Sequence, residues 1–250
     1  RGLIIKHIWG FVPMKNPLDF FTKGSKGLLV LLDPDKWDVE RIKKSNTPEV
    51  SAYLVGGSKL ERGSTRPLLK TLKAITQKQV FLFPGDEFQL AKPADGVLLP
   101  VLLSGRNADY LIGKQVLMAP VLNRLKLPVL SMAYVLIEGG KPSSTQRVTR
   151  TKPLPASDVK TFENTLRAAN YLGYALLYIE AGSGASQSVS NHLIRRARRL
   201  WPRGLIVGGG FTGKTAIEQA FKSGADWVVV GTALEKNPMF VNELAPLHIF

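Results

Sequence analysis

Cysteine is absent from the 250-residue chain, which excludes disulfides and thiolate metal sites and suits a reducing, cytoplasmic setting. The three histidines, His7, His192 and His248, are scattered without metal-ligand spacing and read as incidental. No apolar run approaches the ~18 residues of a membrane span; the longest are Gly27 to Leu32 and Leu127 to Ile137. No secretory signal pattern opens the chain. Acidic residues are scarce, 19 against 34 Lys and Arg, for a net charge of +15. That excess invites a nucleic-acid reading, yet no nucleic-acid motif is recognisable, and no nucleic-acid partner is expected. The densest basic cluster, Arg195 to Arg199, falls on a helix with apolar positions Val189, Leu193, Ala197, Leu200 and Trp201. Its arginines form either a plain solvated face or a surface attracting anions, membrane phospholipid included, so peripheral membrane contact stays open.

What is present has the make-up of one soluble domain, 44% hydrophobic and 21% charged, at the usual length of a (β/α)8 barrel. Eight strands are expected: Gly27 to Asp33, Ser51 to Val55, Val80 to Phe83, Gly96 to Leu99, Val129 to Ile137, Ala175 to Glu180, Gly204 to Val207 and Trp227 to Val230. Most are short Val, Ile and Leu runs without alternation, separated by enough chain for a crossover helix, the pattern of a parallel sheet buried on both faces. A doubly wound open sheet shares that pattern, but the count of eight favours a closed TIM barrel. The segment Gly57 to Gln79, with RGSTRP before one helical pattern, predicts an irregular connection. Lys141 to Pro155, rich in Pro, Ser and Thr, predicts a long loop covering the barrel mouth.

Three late strands run into small residues: LLYIEAGSGAS from Leu176, LIVGGGFTGKT from Leu205 and DWVVVGTA from Asp226. Loops of this kind let backbone N–H groups close around an anion, and the last strands of a barrel supply such a phosphate site. Gly208 to Thr215 also satisfies the P-loop pattern GxxxxGK[ST]. A P-loop enzyme needs a further acidic strand end for magnesium, whereas only one strand remains and Asp226 sits at its wrong end. At the first strand's end, Asp33-Pro34-Asp35-Lys36 reads either as a magnesium site or as a helix N-cap and turn, with Ser58 of Gly56-Gly57-Ser58 placed to join the same ion.

Taken in order, LDPDK from Leu32, VGGS from Val55, FPG from Phe83, SGRNADYLIG from Ser104, YVLIEGGK from Tyr134, TKPLP from Thr151, YIEAGSGA from Tyr178, VGGG from Val207 and VVVGTALEK from Val228 resemble the geranylgeranylglyceryl phosphate synthases, over most of the chain from Leu29 to Pro238. The likeness is greatest to the larger group with archaeal and Bacteroidetes members.

The resemblance implies a single-domain prenyltransferase on a modified barrel lacking one outer helix, which agrees with irregular chain after strand two. It implies an ether bond made between sn-glycerol-1-phosphate and a long prenyl diphosphate, with Mg2+ as cofactor, and a homo-oligomer, dimer or hexamer. Asp33 and Ser58 would bind the metal. The acceptor would sit on Tyr178, Ile179, Glu180, Ala181, Gly182, Ser183 and Gly184, on Gly209 and Gly210, and on Gly231 and Thr232. Glu180 and Tyr178 would be catalytic, Glu180 orienting the acceptor hydroxyl and taking its proton; the alternative for Glu180 is a structural acid holding the backbone of the glycine loop. Lys36 is either a cation for the leaving diphosphate or an ordinary surface lysine, and Tyr110 and Tyr134 line a prenyl groove or pack in the core. Phe211-Thr212-Gly213 departs from the Ile-Arg-Thr type sequence general in the family, so a basic contact there is lost or shifted to Lys214. Arg106 and Asn107 match the family without a derivable role. The rival reading is a phosphate-binding barrel without prenyl transfer, either an inactive binder or a phosphosugar enzyme.

Overall fold

A computed structural model describes residues 16–21 and 25–247; His7 and His248 lie outside them. Eight parallel strands close into a barrel in sequence order: β1 Gly27–Leu32, β2 Val50–Val55, β3 Gln79–Leu82, β4 Gly96–Leu102, β5 Val129–Leu136, β6 Leu176–Glu180, β7 Gly204–Gly208 and β8 Trp227–Val230. The closing pair registers Gly27 with Trp227 and Val30 with Val230. Closure removes both sheet edges, which settles the choice between closed and open sheets.

Strand alternation divides the core. Leu29, Leu54, Phe81, Leu98 and Ile206 fill the barrel interior, while Leu28, Val30, Val55, Leu177 and Val207 meet the surrounding helices. A 3-10 turn, Pro17–Phe21, plugs the bottom. Phe20 there stacks on Trp227 at 4.5 Å between ring centroids, and Phe21 meets Phe81 edge-on at 4.8 Å. Such plugging excludes water from one end, leaving the strands' C-terminal ends as the open mouth.

Helices α1 Val39–Ser45, α2 Thr65–Ile75, α3 Lys114–Leu125, α4 Ser144–Thr149, α5 Val159–Tyr171, α6 Asn191–Leu200, α7 Lys214–Lys222 and α8 Thr232–Lys236 complete the layer. The missing outer helix is not after strand two, as expected. There α2 forms in full, burying Leu68, Leu69 and Leu72, with Pro67 in its first turn where proline is tolerated. The gap falls between β3 and β4, where Pro84 and Pro93 bracket a segment holding only a 3-10 turn, Glu87–Gln89. The Lys141 to Pro155 stretch does cross the mouth, but it contains α4, capped by Ser143 accepting the Gln146 N–H.

The arginines of α6 are not simply a solvated face. Arg198 reaches below the barrel to pair with Asp226 at 2.7 Å and to donate to the carbonyls of Trp201 and Arg203. Arg196 pairs with Glu163 at 2.6 Å. Asp226, nearly buried, also accepts the Leu205 N–H. It is a structural acid at the closed end of the barrel. Among the described residues no helix is long and apolar enough to cross a membrane.

Candidate active site

Strand parity decides which residues reach the mouth. On β6, Tyr178 and Glu180 share the inward face with Leu176, whereas Leu177 and Ile179 turn to the helices. Two chambers open there. The larger encloses about 970 Å³ counting its open mouth, the smaller about 560 Å³. Leu31, Glu180, Ser183, Gly231 and Thr232 belong to both, so Glu180 stands at the junction.

The smaller chamber gathers most of the residues expected to form a phosphate cup. Tyr178, Ser183, Gly184, Gly209, Gly210 and Thr232 wall it, and the Ser183 and Thr232 hydroxyls lie 3.1 Å apart across it. Of the other residues expected there, Ile179 turns its side chain into the outer core; the Ala181 N–H is bonded to the Gly208 carbonyl at 3.0 Å; and Gly182, whose carbonyl accepts the Ala185 N–H, packs between Ser143 and the cup residue Gly209. Gly208 serves the site indirectly, since a Cβ there would meet the Tyr178 hydroxyl at 2.1 Å. That hydroxyl is buried without a hydrogen-bond partner, an orphaned donor and acceptor inside the barrel.

Lys214 is not among the walls of this chamber. Its Nζ lies 3.9 Å from Glu218 along α7. Lys236 lines the cup instead. It follows Thr232 by one turn of α8, and a helical side chain leans back over the preceding turn, which here is the turn facing the chamber.

Glu180 is buried, and loss of hydration raises its pKa to about 7 despite the hydrogen bond donated by the Tyr134 hydroxyl. Burial likewise pushes the Tyr134 and Tyr178 phenols well up, with the Glu180 charge adding to it. Their rings stack at 5.2 Å. From Tyr134 the hydroxyls continue through Thr145 to Ser58, each step 3.3 Å, so α4 joins the β6 acid to the loop after β2. Tyr134 and Tyr110 both line the larger chamber. Asn107 ties the strap above it by donating to the Thr149 carbonyl at 3.0 Å, while Arg106 donates to the Gly105 carbonyl at 2.7 Å.

Asp33 and Ser58 are both walls of the larger chamber. The Asp33 carboxylate lies beside Gly57, where a Cβ would be 3.4 Å away, and its Oδ2 is 3.4 Å from Lys36 Nζ. Lys36 also faces Glu235 at 3.5 Å; these two carboxylates, Glu235 foremost, outweigh partial desolvation and hold its pKa up. Asp35 has another task. Burial works against its charge, but N–H groups of Glu61, Arg62 and Gly63 prevail and hold its carboxyl below the usual range. It organises the next loop. Among the described residues no cluster of three or more His, Cys, Asp or Glu could hold a metal. One carboxylate and one hydroxyl, both hard oxygen donors, fit magnesium, which leaves its other positions to water and substrate phosphates.

Sequence reasoning missed Thr145, Gln89, Lys114 and Lys236 as walls or supports of the site. Lys236 stood within the quoted VVVGTALEK, and the helix following a phosphate-binding strand was the signal available for it.

Comparison with known proteins gives a consistent picture. The PcrB family matches residues 22–246. The geranylgeranylglyceryl phosphate synthase of Flavobacterium johnsoniae is 40% identical over 227 residues, covering 89% of this chain and 93% of that protein. That of Zunongwangia profunda is 39% identical over 229 residues, covering 89% and 98%. Among solved structures, (S)-3-O-geranylgeranylglyceryl phosphate synthase from Thermoplasma acidophilum in complex with substrate sn-glycerol-1-phosphate superposes with a TM-score of 0.82 at 28% identity, covering 92% of this chain and 94% of that one.

Proposed function

The chain belongs to the PcrB family, and from that premise we propose that it is a magnesium-dependent prenyltransferase joining sn-glycerol-1-phosphate to geranylgeranyl or a similar long prenyl diphosphate through an ether bond. The observation that carries the reading is the pair of chambers meeting at Glu180. One has the small-residue walls that suit a phosphate; the other is larger, part apolar, and carries Asp33 and Ser58.

In this reading the acceptor phosphate lies in the cup among backbone N–H groups, and its carbon skeleton points to the junction. Glu180, in its ionised form, accepts the proton of the attacking hydroxyl. Tyr134 donates to that carboxylate and so fixes which oxygen is free, and the unpartnered Tyr178 hydroxyl hydrogen-bonds the acceptor. The acceptor oxygen bonds to the allylic carbon as its bond to the diphosphate oxygen breaks; the proton goes to Glu180 and diphosphate leaves. With Asp33 and Ser58 as its protein ligands, magnesium would neutralise charge on the leaving group. Lys36 adds a cation beside Asp33.

The test is incubation with labelled geranylgeranyl diphosphate, magnesium and each glycerol phosphate enantiomer. An ether-linked product is expected from the 1-phosphate and much less from the 3-phosphate, because the cup is a fixed chiral set of donors. Asp33→Asn should nearly abolish turnover and weaken the magnesium response, with Asp35→Asn milder. Equal use of both enantiomers, or binding of the acceptor with no transfer, would refute the proposal; the latter is the signature of a phosphate-binding barrel.

Lys236→Ala is expected to raise the acceptor KM roughly tenfold, about 1.4 kcal/mol, with little change in kcat, since a charge on ground-state phosphate contributes uniform binding. Lys214→Ala should leave both near wild type. If Lys214 proved the more sensitive, the cup's cation would have been misassigned.

A further inference from the structure

The segment that replaces the missing helix sends one polar side chain into the barrel wall. Gln89 closes the 3-10 turn Glu87–Gln89 and is fully buried. Its Oε1 accepts the Gly57 N–H at 3.0 Å and its Nε2 donates to the Gly57 carbonyl at 3.0 Å. Both bonds fall on one residue, between Gly56 and the candidate metal ligand Ser58.

Strand pairing explains why a side chain is needed. The ladder between β2 and β3 ends where the Phe83 N–H reaches the Val55 carbonyl at 2.8 Å. Pro84 follows, with no N–H and a fixed φ, and Gly85 packs against the Gly57 and Ser58 carbonyls but does not extend the ladder. Gly57 is therefore left with a donor and an acceptor and no strand to pair with. A buried peptide in that state must find other partners. A primary amide carries both a donor and an acceptor at peptide spacing, so Gln89 takes the place of the absent strand residue. Gly57 in turn lies against the Asp33 carboxylate, its virtual Cβ 3.4 Å from the carboxylate carbon. The same peptide thus borders Asp33 on one side and leads into Ser58 on the other.

We infer that Gln89 is a positioning residue for the cation site: by pairing with both polar groups of Gly57 it holds the Gly57-Ser58 turn at the distance from Asp33 that lets the carboxylate and the hydroxyl share one divalent ion. The inference rests on the proposed metal assignment and extends it to a residue that touches neither substrate nor ion. It also gives the helix-free connection a role, since the 3-10 turn is what carries Gln89 to this peptide.

The experiment measures Mn2+ binding by electron paramagnetic resonance with inorganic pyrophosphate present, alongside acceptor binding by calorimetry and thermal unfolding. Wild type, Asp33→Asn, Gln89→Leu and a stability control, Asp226→Asn, are compared. Asp226→Asn weakens the ion pair with Arg198 at the closed end of the barrel and should lower the Tm without touching the mouth. Gln89→Leu keeps the side chain's bulk and removes both hydrogen bonds; it is expected to weaken Mn2+ at least tenfold while sn-glycerol-1-phosphate affinity stays within about twofold. Gln89→Glu, which retains an acceptor for the Gly57 N–H but cannot donate when ionised, should fall between. Wild-type Mn2+ affinity in Gln89→Leu would overturn the inference, as would equal loss of Mn2+ and acceptor binding, or a Mn2+ loss matched by Asp226→Asn. Wild-type protein whose Mn2+ signal is indifferent to Asp33→Asn would instead refute the metal assignment beneath it, and the inference with it.

Discussion

Glu180→Gln is expected to lower kcat by about 10²–10⁴-fold, the range that a positioned general base contributes, while making the folded protein more stable above neutral pH. The two effects share one cause. Burial raises the carboxyl to about 7, so the folded state holds this proton more tightly than the unfolded chain does, from about pH 4.5 upward. Unfolding in that window releases the proton, and stability falls as pH climbs through it, the deficit being complete once pH passes the folded value. At about 1.4 kcal/mol per unit the deficit is roughly 3 kcal/mol, and a permanently neutral glutamine escapes it. Below pH 4.5 both proteins carry a neutral group and the difference vanishes. Catalysis runs the opposite way, because the proton acceptor is the ionised form: wild-type kcat/KM should rise with pH through about 7, and the residual rate of the variant should be flat. Kinetics and thermal melts at pH 4.5, 6, 7 and 8.5 decide it. A variant that loses activity and stability together at pH 8.5 would mark Glu180 as a structural acid, and unchanged kcat would remove it from the mechanism.

Why so much of the barrel was legible, and so little of its wiring, follows from the range of the interactions. A parallel strand buried on both faces must be apolar nearly throughout, so Leu176 to Ile179 and Leu205 to Val207 announce themselves locally. Parity was legible too, though unused: alternation along β6 sets the Tyr178 and Glu180 side chains on one face and that of Ile179 on the other, which leaves Ile179 only its backbone to offer the cup. The misplaced gap has a specific origin. RGSTRP looks like a helix breaker, but Pro67 stands in the first turn of α2, where no N–H is missed; the effective breakers were Pro84 and Pro93. Contacts spanning long stretches of chain were not legible at all. Arg198 finds Asp226, and Gln89 finds Gly57, only once neighbouring strands have paired, and no local pattern encodes either partner. Lys214 is the converse case: its partner Glu218 stands only four residues on along α7, a spacing that the sequence displays, while the motif pointed to phosphate.

That motif supplies the sharpest contrast between two glycines three residues apart. Gly210→Ala should weaken acceptor binding at least tenfold and lower stability, whereas Gly213→Ala should keep kcat/KM within about twofold. Gly210 has φ +73, and a Cβ there would lie 2.4 Å from the Gln187 carbonyl oxygen and 2.7 Å from the Ser188 nitrogen. The obstacle is therefore backbone of the loop after β6, not only the space a phosphate would occupy. Left-handed backbone costs a side-chain-bearing residue about 1–2 kcal/mol, and overpacking against an immovable neighbour adds about 1–3. Relief requires the two loops to part, which widens the cup between Gly184 and Gly209 and separates its N–H groups from the anion. Gly213 is extended at φ −167, and a Cβ would meet nothing within 4 Å. In a P-loop the order would be reversed, since the glycine before the lysine brings backbone against the nucleotide phosphates and its loss, like that of Lys214, should remove hydrolysis. Acceptor calorimetry and ATP hydrolysis on the two variants separate the cases: tolerance at 210 with failure at 213, accompanied by nucleotide turnover in the wild type, would make these glycines a nucleotide site, while the expected order ties them to a phosphate held between β6 and β7.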